Sequence, residues 1–168
     1  ISNQDLNPLL DELMERQSCY SGISLLMLGD WLEKLGANSQ AKSFWQRSAI
    51  RYALVPGILT QVKQRLPEFD EQPYLQAHKL YVEAVAKHLR GEPEAATPLF
   101  IQAQQLAPHL VRLNIAAARL ALDQIKQGNT EARSLMQTSL EQIDLLPAID
   151  LQILEYKRLK SAQELHAW

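Results

Sequence analysis

Apolar residues return along most of this chain at the spacing of a helix, and the stretches that carry them are punctuated by glycine or proline. From Ile23 to Leu35 the positions Leu25, Leu28, Trp31, Leu32 and Leu35 fall on helical spacing. Gly36 then stands where a helix ends in a left-handed residue. Ser39 offers an N-cap to a second helix carrying Ala41, Phe44, Trp45, Ser48, Ala49 and Tyr52 on one broad face. The same reading predicts a short helix opened by Asn7-Pro8 and running to Gln17, and another from Ile58 to Leu66 opened by Pro56. A long helix is expected from Tyr74 to Arg90, stopped by Gly91. Thr97-Pro98 reads as cap and first residue of a helix to Leu106, which makes Glu92 to Ala96 a tight turn. Pro108 opens a helix to Gln127, Thr130 caps one to Leu145, and Pro147 starts the last, which runs nearly to Trp168. Sustained alternation is missing and β-branched residues are sparse, so no strand is expected. Joints this short make neighbouring helices antiparallel.

The segment from Pro67 to Pro73 is the clearest linker, because two prolines and three carboxylates make a poor helix interior. It separates an N-terminal helix (1–21) and a helix pair with an extra helix (22–66) from two further pairs (74–108 and 109–146) and a final covering helix (147–168). The whole is read as one all-α domain.

Comparing the chain with itself brings out a repeated pattern. One segment holds Leu28-Gly29, Gly36, Ala41, Trp45 and Ser48; the next holds Ala84, Gly91, Ala96, Phe100, Ala103 and Pro108; the third holds Ala121, Gly128, Ala132, Met136, Ser139 and Pro147. This resembles the tetratricopeptide repeat, in which small residues let paired helices approach closely and a large one fills the gap between pairs. The second segment matches best and the third is degenerate. The first and second are separated by an inserted helix and the acidic linker, and Lys87 stands where the family carries a large residue. The resemblance spans residues 22–147 and implies antiparallel helix pairs stacked in a right-handed superhelix with a C-terminal capping helix. It also implies that the first helix of each pair lines a concave face that receives polypeptides.

Those first helices offer Leu26, Asp30, Glu33 and Lys34, then His78, Tyr81, Val85 and His88, then Asn114, Ile115, Ala118, Arg119 and Leu122. Tyr81, His88, Asn114 and Arg119 are the candidate partner-binding residues. Arg119 can anchor a carboxylate through two parallel N–H bonds, and Tyr81 gives the amphipathic surface common at binding hot spots. Only Asn114 and Arg119 suit the arrangement by which some family members grip chaperone C-termini, so that arrangement is incomplete.

Composition narrows the chemistry. Leu, Ala and Gln dominate, residues that lose little freedom in a helix. A net charge of −2 with scattered Lys and Arg argues against nucleic acid as a partner. One cysteine, Cys19, permits neither an intrachain disulfide nor a cysteine zinc site. The histidines His78, His88, His109 and His166 form no metal-ligand spacing, the carboxylates read as solvated, and no phosphate cradle or nucleophile motif is present. Trp31 and Trp45 read as core. We therefore expect no catalytic residue, metal or cofactor and no membrane span. The expected function is a protein-interaction module or scaffold in the cytoplasm, or in the periplasm after removal of a signal peptide. A regulatory sensor of a peptide or small ligand and the non-catalytic arm of an enzyme such as a glycosyltransferase are the other readings.

Overall fold

The computed structural model describes residues 22–52, 57–144 and 154–166. The expected helix at 7–17, the openings at Pro56 and Pro147, Cys19 and Trp168 lie outside these residues. The described residues form eight α-helices and one 3-10 turn, with no strand. They fall into two compact units divided between Phe69 and Asp70, inside the acidic segment.

The first unit contains α1 (Gly22–Lys34), α2 (Asn38–Tyr52) and α3 (Ile58–Arg65). Leu25, Leu26 and Leu32 of α1 and Ala41, Phe44, Trp45, Ser48 and Ala49 of α2 are buried together with Ile58, Leu59 and Val62 of α3. Trp31 departs from its expected place in the core. It is 40% exposed and lies in line with Ile23 and Met27, one turn apart each, on a second apolar stripe of α1. Apolar residues ring so much of α1 that periodicity alone could not say which arc faces inward.

The second unit contains α4 (Gln72–Leu89), α5 (Pro93–Leu106), α6 (Val111–Lys126), the 3-10 turn Thr130–Ala132, α7 (Arg133–Asp144) and α8 (Leu154–Leu165). α4 pairs with α5 and α6 with α7, while α6 also packs on α5 and α4, and α8 packs on α6 and α7. Small residues fill the crossings: Ala77, Ala84, Ala96, Ala103, Ala117, Ala118 and Ala121 are all wholly buried. With only methyl groups between them, helix axes come within ~8–10 Å.

Three joints have the same construction. Gly36, Gly91 and Gly128 take φ of +81°, +77° and +95°, a region that costs glycine no steric penalty. After each, the chain turns straight into the next helix, and two backbone bonds close the turn. Gly91 N donates to His88 O (3.0 Å) and Glu92 N to Lys87 O (3.0 Å); Gly36 with Ala37, and Gly128 with Asn129, repeat both bonds. This is the paired 5→2 and 6→1 closure of a Schellman motif.

Several expected boundaries move. α5 starts at Pro93 rather than after Thr97, so residues 93–96 are helix and Pro98 lies inside it. Proline at the first turn removes an N–H that has no partner there anyway. Pro98 removes only the bond to the carbonyl of Glu94, an exposed residue, and the Thr97 hydroxyl donates to Pro93 O (2.9 Å). Pro73 likewise belongs to the first turn of α4, with Asp70 Oδ1 accepting from Gln72 N (3.1 Å), so the linker is shorter than expected. α6 begins at Val111 because Pro108 and His109 form a turn. Thr130 is no cap. Asn129 Oδ1 accepts from Glu131 N (3.1 Å) and opens the 3-10 turn.

That turn explains why the third segment looks degenerate. Its small, large and small residues, Ala132, Met136 and Ser139, come 4, 8 and 11 positions after Gly128, against 5, 9 and 12 after Gly91 for Ala96, Phe100 and Ala103. Three 3-10 residues rise about 6 Å, as far as four α-helical ones. The missing residue is thus made up, and all six side chains end up buried.

Candidate functional site

The first helices of the two pairs in the second unit bound a cleft of about 430 Å³. From α4 come Tyr81, Val85, His88 and Leu89, and from α6 come Ala116, Arg119, Leu122 and Asp123. These positions recur at three- and four-residue steps, so each set forms one helix face. Tyr81, Val85 and Leu122 are half-buried, whereas Leu89 is 82% exposed. Aliphatic and aromatic carbons therefore dominate the walls, with polar pairs at two places.

One is His88, whose Nε2 lies 3.0 Å from Asp123 Oδ2. This pair also borders a second cavity of about 420 Å³, lined besides by Gly91, Pro93 and Lys126, and so forms a wall between the two. The other is Arg119, whose Nη2 lies 2.7 Å from Glu155 Oε1 on α8.

Three of the four candidate residues, Tyr81, His88 and Arg119, are thus brought to one cleft. Asn114 is not. It is wholly buried on the opposite side of α6, where Nδ2 donates to Pro108 O (2.8 Å) and Leu110 O (3.0 Å) and Oδ1 accepts from Gln104 Nε2 (3.0 Å). Gln104 Nε2 also donates to Ser139 Oγ (2.7 Å), whose hydroxyl donates on to Leu135 O (2.7 Å). Asn114 fastens the turn between α5 and α6 and joins a buried network across α5, α6 and α7, so no partner can touch it. Ile115 and Ala118, expected in the groove, are also buried, as is Leu26 in the first unit.

Asp123 and Glu155 escaped the sequence reading. A signal for Asp123 was available: it lies 35 residues after His88, about one repeat length. Gln104 and Ser139 on the second helices are also 35 apart.

The first unit holds a smaller cleft of about 310 Å³ lined by Glu33, Asn38, Lys42, Trp45, Arg65 and Glu68. At its side Asp30 accepts two bonds from Arg65, at 2.6 and 2.8 Å, and one from the Trp45 indole at 3.1 Å. The Arg65 hydrogen bond holds the Asp30 carboxyl below its ordinary range, against the opposing effect of burial. Lys34 stands one turn beyond Asp30 on α1, but the carboxylate turns to α3 instead and secures that helix.

Among the described residues, no cluster of three or more His, Cys, Asp or Glu side chains is placed to hold a metal ion, and no helix is long and apolar enough to cross a membrane. No family model, curated protein or solved structure matches the chain.

Proposed function

We propose that the chain is a non-catalytic, tetratricopeptide-like interaction module whose second unit binds a polypeptide in the cleft between α4 and α6. The observation that carries this reading is the cleft itself, which puts exposed and half-buried apolar walls beside an accessible guanidinium. Apolar area gives such a site its affinity, and a few placed polar groups give it orientation. His88 faces Asp123 across the cleft wall, an arrangement suited to fixing two helices rather than to activating a nucleophile.

The stacked-repeat architecture has its own support. Cross-pair bonds link first helix to first helix at His88–Asp123 and second helix to second helix at Gln104–Ser139, both at 35 residues. Arg119 and Glu155 are 36 apart (155 − 119), so α8 stands where the first helix of a following pair would stand. Its buried Tyr156 and Leu159 cover the α6–α7 edge, and its outer face is mostly polar, as a covering helix requires.

Affinity capture from the source organism, followed by binding measurements on Tyr81→Ala, tests the function. A hot-spot tyrosine costs at least ~1 kcal/mol on truncation while the protein stays folded. Undiminished affinity of Tyr81→Ala for the captured polypeptide would place binding elsewhere.

A further inference from the structure

Arg119 already holds a carboxylate. Glu155 reaches it from the first turn of α8 at 2.7 Å, and the two side chains remain 55% and 47% exposed. The contact lies at the edge of the cleft beside Leu122 and Val85, where an incoming acid group would compete with Glu155 for the same guanidinium face. The contact is not needed to seat α8. The next residue, Tyr156, is buried and its hydroxyl donates to Asp144, which also takes an ion pair from Lys160 at 2.9 Å, while Leu159 packs beneath. Those contacts attach α8 independently of Glu155.

We propose that Glu155 is a built-in competitor that occupies Arg119 until a ligand carboxylate displaces it, so that the cleft selects segments carrying an aliphatic side chain close to an aspartate or glutamate. This rests on the binding reading above. The side chain seated on Arg119 in the structure stands in for the ligand's acid group, and the apolar walls supply the other half of the specificity.

The test uses the intact ¹⁵N-labelled chain and two probes differing by one functional group, acetyl-Leu-Ala-Asp-amide and acetyl-Leu-Ala-Asn-amide, titrated by NMR into the wild type and Glu155→Gln. Removing an exposed ion pair of ordinary strength should tighten the Asp peptide roughly two- to fivefold in Glu155→Gln. The Asn peptide should bind both proteins equally, and the resonances of Tyr81, Val85 and Leu122 should move. Equal affinity of the Asp peptide for both proteins, with the cleft resonances still shifting, overturns the competitor and leaves the binding site standing. Absence of any shift at the cleft in either protein overturns both.

Discussion

Both units are built on the same joint and the same spacing of small and large residues, yet they close their cores differently. In the first, position seven before the turn glycine is Gly29, and in the second it is Ala84 and then Ala121. A Cβ at Gly29 would fall against Nε1 and Cδ1 of Trp45, closer than real atoms approach. The large residue there is an indole, which needs the space an alanine methyl would take and also a polar partner. It finds two, Leu26 O at 3.2 Å and Asp30. Phe100 and Met136 have no N–H to satisfy, and there the small residue is alanine. The second unit instead spends its buried polarity on Gln104, Asn114 and Ser139, which tie successive pairs together. A side chain's hydrogen-bonding need thus decides where each unit is fastened: at a single helix pair with α3, or across two neighbouring pairs.

The largest effect expected to break this comparison comes from Phe100→Ala, which should cost about 3–5 kcal/mol by emptying a wholly buried position. Chemical denaturation followed by hydrogen exchange should show the loss in the second unit, and an unchanged midpoint would mean the aromatic fills no gap. Next come two overpacking changes, Gly29→Ala in the first unit and Ala96→Leu in the second, each costing about 1–3 kcal/mol. Amide exchange should accelerate in the unit that carries the change; a Gly29→Ala protein with native tryptophan fluorescence and midpoint would refute the close approach of Trp45. Asn114→Ala should cost about 1–3 kcal/mol by leaving buried partners unmet, although the residue lies on a predicted binding helix. Its ligand affinity should be unchanged once folded, which separates a fastening role from a binding one.

The smallest effect concerns pH. Asp30 has a lowered pKa when folded, so its contribution is present above the unfolded value of about 3.9 and is lost as pH falls through the folded value. Asp30→Asn should remove that acid-dependent part, with less than about 1 kcal/mol at stake because the pair is partly exposed. Parallel acid titrations of the variant and the wild type would contradict this.

Part of the candidate site was legible in the sequence. Tyr81, His88 and Arg119 fall on outward arcs of helices whose inner arcs are marked by Ala77, Ala84, Ala117 and Ala121, and it was the resemblance to the repeat family that assigned those helices to one face. Asn114 misled because polarity normally marks the solvent side, and only a partner such as Gln104 on another helix makes its burial tolerable. Nothing local distinguishes Glu155 from the other charges of its helix; its meaning comes from Arg119, 36 residues away.

By itself, the sequence determined the helices and their stops. Helical periodicity and the left-handed glycines act within one or two turns of chain, which is the range that local sequence governs. It also determined the small residues at the crossings, since these repeat with the pairs. The tertiary structure decided whatever depends on a second helix: which arc of α1 turns inward and leaves Trp31 half in solvent, that Pro98 is tolerated inside α5, that a 3-10 turn compensates a missing residue, and that Asp30 pairs with Arg65 rather than Lys34. In each case the local alternatives differ by little, and the choice falls to packing and hydrogen bonds between residues far apart in the chain.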